Sequence, residues 1–316
     1  MPRTNRSAPP RVSLAASPPC PRKSNGSKSA RRAQIKDLQE RGETQRSRTD
    51  PDARVLHKRG QQTVGYNVQS VVDHKHRLIA HHEVTNAGND SGQLAAQAIA
   101  AKEVLGVAAL TVVADAGYYS EEQLAACAQA KIAVYVPIPD KYQPILAAGR
   151  FSGAQFQYVP GADAYVCPGG EVLRPQGKPA PINGILRQRY TRAPNACHGC
   201  PLKGVCLPAK TPRRQLYRSE HAAVLEVHRQ RMAAEGPERM RQRAGLVEHP
   251  FGTLKRWFGW DHFLVRGFEK VRGEMALMVL GYNLTRVLTI LGWQAFRDYC
   301  AQRLSCHGAA TPAARA

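Results

Sequence analysis

Two carboxylate residues stand where a carboxylate could take part in a reaction. Asp115 ends the apolar run ALTVVAD, and Gly117 follows two residues later. This pattern predicts a position at the carboxyl end of a strand, where open α/β sheets place their ligands. Glu248 is the single acid of the basic and aromatic stretch RQRAGLVEHPFGTLKRWFGW, residues 241–260. Each acid also has a structural alternative: a turn aspartate that bonds its own backbone, and a solvated glutamate or ion-pair partner of Arg241 or Arg243.

Together the two acids suggest phosphoryl transfer. Carboxylates from separate elements are the usual ligands of Mg²⁺ or Mn²⁺, and two such ions can activate an attacking oxygen and stabilise the leaving one. Asp115 and Glu248 are therefore predicted as catalytic residues and as ligands of Mg²⁺ or Mn²⁺. A site of this kind normally needs a third acid.

Basic residues surround Glu248 and alternate with aromatic ones, a mixture that suits contacts with nucleic-acid backbone and bases. The predicted DNA-binding residues are Lys255, Arg256, Arg241 and Arg243. Trp257, Phe258 and Trp260 follow in the next turn, and most of these aromatic residues are expected in the core.

Four of the eight cysteines have a spacing typical of metal ligands. Cys167 is followed by C-x2-C-x5-C, formed by Cys197, Cys200 and Cys206. Four thiolates with a C-x2-C pair match a structural Zn²⁺ site in a cytosolic chain. His198 is an alternative ligand, and reduced cysteines that stabilise a loop-rich insertion by packing are the alternative to a metal.

The composition favours a polyanionic partner. The chain of 316 residues has a formal net charge of +21, and binding to phosphates would release counterions. Nucleic acid is the first expectation, with an acidic membrane surface or plain solubility as alternatives. The most apolar stretch, Met275–Trp293, contains Asn283 and Arg286 and predicts a soluble helix rather than a membrane span. We therefore expect a cytoplasmic protein that does not bind membranes.

The order of predicted elements fits an α/β core. VGYNVQSVVD and HRLIAHHEVT, residues 64–73 and 76–85, predict an antiparallel hairpin with a turn near residues 73–76. A helix over residues 90–104, a strand ending at Asp115, a helix N-capped by Ser120 and the strand IAVYVPI follow.

The C-terminal part has a helical pattern. One helix is predicted over EHAAVLEVHRQRMA and is ended by Gly236–Pro237; a second runs from Glu238 to Pro250. A last helix begins near Glu269. Its predicted buried face consists of the leucines spaced three and four apart, Leu277, Leu280, Leu284, Leu288 and Leu291.

Several stretches, in order along residues 48–292, resemble bacterial insertion-sequence transposases of the DDE type, which have an RNase H-like core. They are TDPDAR (49–54), GYNVQSVVD (65–73), ADAGYYS (114–120), YVCPGG (165–170), CHGCPLKGVC (197–206), VEHPFGTLKRW (247–257) and FLVRGFEKVRGEMALMVLGYNLTRVL (263–288). The resemblance implies that Asp115 and Glu248 are the second and third acids of the catalytic triad. It also implies that Lys255, seven residues after Glu248, contacts DNA.

Two features depart from the family pattern. Arg241 and Ala244 occupy the positions of the family's tyrosine and arginine upstream of the glutamate. The first aspartate of the family lies on a strand upstream of TDPDAR, where this chain has an Arg-, Ser- and Pro-rich segment; Asp73 is the nearby strand-end acid. The resemblance therefore implies an N-terminally truncated transposase that lacks one metal ligand.

The predicted fold is an RNase H-like mixed α/β sheet flanked by helices, with a Cys-rich loop insertion and a C-terminal helical region. The predicted segments are a disordered basic segment (1–48) with a short helix around Ala30–Glu43, the first part of the core (49–140), the Cys-rich insertion (141–215), the helical completion that carries Glu248 (216–296) and a flexible tail (297–316). The family function is metal-dependent DNA cleavage and joining at element ends, in an assembled complex that could be a homo-oligomer. Alternatives are a non-catalytic DNA-binding remnant or domesticated fragment, a zinc-stabilised scaffold, or another nuclease on the same fold.

Overall fold

A computed structural model describes residues 26–40, 42–58, 61–140, 143–193 and 195–308, with side chains for most of them. The chain divides into two units, Met1–Arg46 and Ser47–Ala316. In the first unit, helix α1 spans Gly26–Glu40, which confirms a helix near the predicted Ala30–Glu43. An ion pair between Arg46 and Asp37 follows its C-terminal end. Residues 1–25 of the segment predicted as disordered lie outside the described residues.

The second unit begins with two strands that were not predicted from the sequence, β1 (Arg54–Lys58) and β2 (Gln61–Gly65). The elements after them follow the predicted order: β3 (Asn67–Val72), β4 (Ile79–Thr85), α2 (Leu94–Leu105), β5 (Leu110–Val113), α3 (Glu121–Gln129) and β6 (Ile132–Tyr135). β3 and β4 form the predicted antiparallel hairpin, with Val68 opposite Val84. β5 and β6 are parallel, and β1 and β2 pair as a separate hairpin. The predicted order of elements and the mixed α/β class are confirmed.

The turn after β5 and the first residue of α3 also lie at the predicted positions in the sequence. Ser120 occupies the N-cap position of α3, but its side chain makes no capping hydrogen bond to the backbone. Its hydroxyl donates instead to the Glu122 carboxylate at 2.6 Å. The position of the cap was therefore predicted correctly and its hydrogen bond was not.

The Cys-rich insertion is a β-sheet rather than the predicted loop-rich segment. Its elements are α4 (Gln143–Ala147), β7 (Gln157–Val159), β8 (Ala164–Val166), β9 (Val172–Pro175), β10 (Ala180–Ile182), β11 (Ile185–Thr191), α5 (Lys203–Cys206) and β12 (Gln215–Ser219). The strands run in the order β10-β11-β9-β8-β7, and β12 pairs antiparallel with residues 187–191 of β11. Most of them are three to five residues long, too short to show a clear alternation in the sequence. A small core of Phe156, Leu173, Tyr190 and Leu216 holds the sheet together.

A single helix, α6, spans Ala222–Gly252 and replaces the two predicted helices. Proline removes one backbone donor and usually kinks or ends a helix. Here Pro237 lies on a stretch where Ala233 is exposed, so water can reach the carbonyl group that loses its partner. Ion pairs of Glu235 with Arg239 and of Glu238 with Arg241 flank the proline and favour the helical turns around it.

Helix α7 spans Phe268–Leu291, after one π-helical turn at Thr253–Trp257. Its start agrees with the prediction, but the predicted buried face is wrong: Leu277 is 69 % exposed, Leu280 63 %, and Leu284 and Leu291 are exposed as well. The buried residues are Val271, Met275, Met278, Val279 and Tyr282. They form a second stripe with equally good helical spacing, and this stripe packs with Ile79, Val84 and Leu254. Sequence spacing identifies both stripes, but only the packing of α7 against β4 shows which stripe is buried.

The described residues end in another helix, where the sequence predicts a flexible tail from residue 297. Helix α8 spans Trp293–Gly308, and residues 309–316 lie outside the described part. By length and composition alone, α7 could cross a membrane. A core helix passes the same test, and one stripe of α7 lies in the core beside β4.

The main core joins the strands to the helices that surround Asp115. Residues of α2 and α3 pack against β5 and β6, and Leu225 of α6 closes the same cluster. Val136 and Cys127 at its centre are fully buried. This cluster fixes the end of β5 relative to α6, the helix that carries Glu248.

Candidate active site

Asp115 lies directly beyond β5, as the sequence predicts. Its Oδ1 accepts a hydrogen bond from the Gly117 backbone N–H at 3.1 Å, which begins a short 3-10 turn. Its Oδ2 accepts from Nη2 of Arg243 at 3.0 Å. Asp115 is thus both the turn aspartate of the structural alternative and a carboxylate with a charged partner on another element. Half of its side chain is exposed, so solvent and ligands can reach it.

Arg243 lies on α6 and pairs with Asp115, although the sequence predicts it as a DNA contact. Only 24 % of its side chain is exposed. Its Nε is buried and has no hydrogen-bond partner among the described residues. A guanidinium has five donors, so this group can take a further acceptor without leaving Asp115.

Glu248 follows Arg243 by five residues on the same helix, and its side chain lies outside the described part.

The other predicted DNA-binding residues lie on the outer surface of this region. Arg241 is exposed and pairs with Glu238. Lys255 and Arg256 are exposed on the π-helical turn. Trp257 beside them is 85 % exposed, whereas Phe258 and Trp260 pack on the core, so the aromatic residues divide between the surface and the core.

A polar network beside Asp115 was not predicted from the sequence. Gln69 on β3 is 2 % exposed, and its amide donates to Asp90 Oδ1 at 2.8 Å. Asn67 donates to the same oxygen at 2.7 Å. The Tyr118 hydroxyl donates to Oε1 of Gln69. The network therefore ties β3 and the loop after β4 to the turn that follows Asp115.

Carboxylate oxygens of Asp90 and Asp115 both lie near the position that a Cβ atom would occupy at residue 117. A Cβ atom added at Gly117 would lie 3.2 Å from Oδ1 of Asp115 and 3.9 Å from Oδ2 of Asp90. Burial raises the pKa of Tyr118, and the charges of Asp90 and Asp115 raise it further. The phenol therefore stays protonated near neutral pH and remains a donor to Gln69. Gly117 leaves the space between the two carboxylates open.

The carboxylates of Asp115 and Asp90 have the oxygen chemistry that Mg²⁺ prefers. Within the described part of the chain, however, no three His, Cys, Asp or Glu side chains form a group that could hold a metal ion. Arg243 also occupies one oxygen of Asp115. The described side chains alone are therefore an incomplete set of ligands.

The four cysteines with metal-like spacing come together in the insertion. Cys167, Cys197, Cys200 and Cys206 line one cavity of about 20 Å³, enough for a single water-sized ion. His198, the alternative ligand, is exposed and is not part of the cavity wall. Burial raises the pKa of the Cys206 thiol, the three other cysteines raise it further, and Arg214 lowers it. The thiols are neighbours in space, although the side chains described here are not arranged as a closed metal group.

The mixed α/β core, with an acid at the carboxyl end of β5 and a C-terminal helix packed beside it, defines an RNase H-like transposase fold. A family model described as "Transposase DDE domain" matches residues 37–284. The match covers more than half of the chain, and the chain therefore belongs to the DDE transposase family. Comparison with curated proteins and with solved structures gives no match. Members of this family act on DNA and generally use divalent metals.

Proposed function

We propose that this chain carries out metal-dependent DNA strand cleavage and transfer at the ends of a bacterial insertion sequence. The ion pair between Asp115 and Arg243 is the observation that carries the proposal. It fixes α6, the helix of Glu248, at the end of β5 where Asp115 lies. Family membership supports the same chemistry.

In the proposed site, Asp115 and Glu248 hold the divalent metal, Mg²⁺ or Mn²⁺. When bound, the metal activates the attacking oxygen and neutralises charge on the phosphate. Arg243 lies next to Asp115 and can donate to a phosphate oxygen through donors that the ion pair leaves free. Lys255, Arg256 and Arg241 are exposed and bind the DNA backbone in this proposal.

We also propose that the first acid of the family's catalytic triad is absent from this chain. Asp73 caps the turn after β3, since its Oδ2 accepts from the His76 N–H at 2.6 Å. Asp50 accepts from the hydroxyl of Tyr66 and the backbone N–H of Gly267. Asp90 lies beside Asp115 but in the loop after β4, not on a strand that precedes β3. These placements support a chain that needs a further acid for full activity.

The experiment is nicking of supercoiled plasmid DNA in Mn²⁺ by the chain joined to an upstream strand that carries the family's first aspartate, compared with the same protein carrying Asp115→Asn. Nicking should require Mn²⁺ and should be lost in the variant. Asp298→Asn is the matched control, because it removes an exposed carboxylate on α8 that pairs with its neighbour Arg297. Nicking that persists in Asp115→Asn would refute the role of Asp115.

A non-catalytic DNA-binding remnant is the second candidate function. It is favoured by the lack of a three-ligand metal group among the side chains that the structure describes. Such a protein would bind DNA at low salt, lose binding steeply as salt increases, and never nick it in Mn²⁺. The same plasmid assay, run beside a filter-binding titration, separates the two candidates.

For the insertion we propose a structural Zn²⁺ held by Cys167, Cys197, Cys200 and Cys206. The common cavity supports it, as does the C-x2-C pair within the set. Metal analysis of the purified chain should find one Zn²⁺, lost in Cys197→Ser and retained in the control Cys300→Ser on α8. Retention of zinc in Cys197→Ser would exclude this ligand set.

We further propose that the protein is cytoplasmic and works as a homo-oligomer in an assembled complex with DNA. The exposed leucine face of α7, formed by Leu277, Leu280 and Leu284, supports self-association, because exposed apolar patches commonly mark interfaces. Sedimentation of the full chain with and without DNA tests this.

A further inference from the structure

The turn of α6 that carries Glu248 is weakened by its own sequence. Gly245 precedes Glu248 by three residues, Pro250 follows it by two, and the π-helical turn begins at Thr253. Glycine lowers the stability of a helix, and a proline at position 250 has no N–H to offer the carbonyl group of Leu246. The backbone around Glu248 therefore depends on contacts with other elements to keep one position.

Two hydrogen bonds from other elements reach this turn. Nη1 of Arg77, in the loop between β3 and β4, donates to the carbonyl oxygen of Gly245. Nδ1 of His249 lies 3.0 Å from the phenolic oxygen of Tyr282 on α7, and the two rings meet edge to face. These contacts lie three residues before Glu248 and one residue after it, so they hold the backbone on both sides.

Tyr282 joins the two contacts into one network. Its side chain is fully buried, and its hydroxyl donates to the carbonyl oxygen of Arg77 at 2.6 Å. A phenol has a single proton to donate, so the oxygen that donates to Arg77 accepts from the Nδ1–H group of His249. One phenolic oxygen therefore connects α6, α7 and the loop between β3 and β4.

Two further side chains of α7 hold the loop from which Arg77 reaches α6. The backbone of Arg77 has a φ of 61°, a left-handed conformation that costs energy for a side chain of this size. The Asn283 amide bonds both the N–H and the carbonyl of the first residue of β4, each at 2.9 Å. Arg286 donates twice to the carbonyl oxygen of His76, at 3.0 and 3.1 Å. Tyr282, Asn283 and Arg286, all from the stretch GYNLTR, thus fix this loop together.

We infer that Tyr282 is a positioning residue, which fixes the turn of α6 that carries Glu248 through the two hydrogen bonds at its phenolic oxygen. The ion pair between Asp115 and Arg243 holds α6 only upstream of the weakened segment. Tyr282 supplies the second anchor and acts through the α6 backbone. The consequence for metal binding rests on the proposed function, in which Glu248 is a ligand of the divalent metal.

Amide hydrogen exchange of the full chain, without DNA or metal, measures how firmly this turn is held. Tyr282→Phe keeps the ring and removes the hydroxyl. The amides of residues 246–249 should then exchange about tenfold or more faster relative to residues 224–232 of the same helix, because two buried hydrogen bonds are lost.

Two other variants of α7 are the controls for this measurement. Thr285→Val removes a hydroxyl that bonds the Gly281 carbonyl of its own helix. Val271→Ala removes buried apolar volume, so it lowers the stability of the whole protein without removing a hydrogen bond of the network. Both controls should leave the ratio of exchange rates unchanged. An unchanged ratio in Tyr282→Phe as well would overturn the inference.

Binding of Mn²⁺ to the full chain, followed by electron paramagnetic resonance, separates a positioning role from a purely structural one. Tyr282→Phe should weaken Mn²⁺ binding about tenfold or more, as loss of a group that orients a metal ligand commonly does. Thr285→Val and Val271→Ala should bind Mn²⁺ as the unmodified chain does.

Glu248→Gln distinguishes failure of the inference from failure of the proposed function. If Glu248→Gln loses Mn²⁺ affinity and Tyr282→Phe keeps it, Tyr282 only stabilises the fold and the inference is overturned. If Glu248→Gln keeps its affinity, the proposed function is rejected at this residue, and the exchange ratio alone decides whether Tyr282 fixes the turn.

Discussion

Nη2 of Arg243 lies 3.0 Å from Oδ2 of Asp115 and links the middle of α6 to the end of β5. The two residues are 128 positions apart in the chain, and a whole β-sheet insertion lies between them. A metal bound at Asp115 would meet a guanidinium at the same oxygen. Arg243 must therefore share Asp115 with the metal or turn its donors to a phosphate.

Replacement of Arg243 should separate its role in DNA binding from its role in stability. Asp115 is half exposed, so loss of the ion pair in Arg243→Gln should change the free energy of unfolding by about 1 kcal/mol or less. DNA affinity should fall, and the slope of log K against log salt should decrease by about 1 as one phosphate contact is lost. Filter binding at several salt concentrations and urea titration measure the two effects.

Arg229→Gln is the matched control for this measurement. Arg229 is exposed on the same helix and pairs with Glu226 three residues away. Its loss should leave the salt slope unchanged. Equal slopes for Arg243→Gln and the unmodified chain would show that Arg243 only neutralises Asp115.

The network around Gln69 should contribute measurably to stability. Gln69→Leu leaves the Tyr118 hydroxyl without its acceptor and takes one amide donor from Asp90. A buried polar group without a partner costs roughly 1–3 kcal/mol, which urea titration should detect. Gln62→Leu, on the exposed part of β2, should change stability by less than about 0.5 kcal/mol. A similar small effect at Gln69 would mean that water replaces the lost partners.

The sequence predicted those parts of the site that depend on neighbouring residues. Asp115 was found because an apolar strand and a glycine flank it within the same few residues. The pairing of Asp90 with Gln69 joins positions 21 residues apart, and a lone aspartate in GNDSG gave no sign of it. Likewise, the leucine stripe of α7 was found correctly as a stripe, but only the position of β4 shows that the opposite stripe is buried.

The stability of the protein should decrease as the pH falls below about 6.5. His228 is 2 % exposed, and its ring nitrogens face the carbonyls of Val136 at 2.9 Å and Val134 at 3.3 Å. Burial lowers the pKa of His228 from 6.5, and burial also lowers the pKa values of His82 and His249. The unfolded chain then takes up protons first, so stability is complete above pH 6.5 and is lost as the pH falls toward the lower folded-state values.

Urea midpoints measured across this pH range test the contribution of His228. In His228→Gln the midpoint should depend less on pH, because one group that titrates differently in the two states is gone. The exposed His198 serves as the control, and His198→Gln should keep the original pH dependence. An unchanged slope in His228→Gln would assign the pH dependence to other groups.

Two neighbouring residues of α7 test which face of the helix is buried. Met278 is 8 % exposed and packs in the core beside β4, whereas Leu280 is 63 % exposed. Met278→Ala should cost about 2–5 kcal/mol, because it leaves a cavity, and Leu280→Ala should change stability by less than about 0.5 kcal/mol in a dilute monomer. If the leucine face joins two copies of the chain, the cost of Leu280→Ala should increase with protein concentration, since association stabilises only the folded state. Urea titration at two concentrations that differ a hundredfold gives both answers. A large cost at Leu280 that does not depend on concentration would place the leucines in the core of the monomer, as the spacing alone predicted.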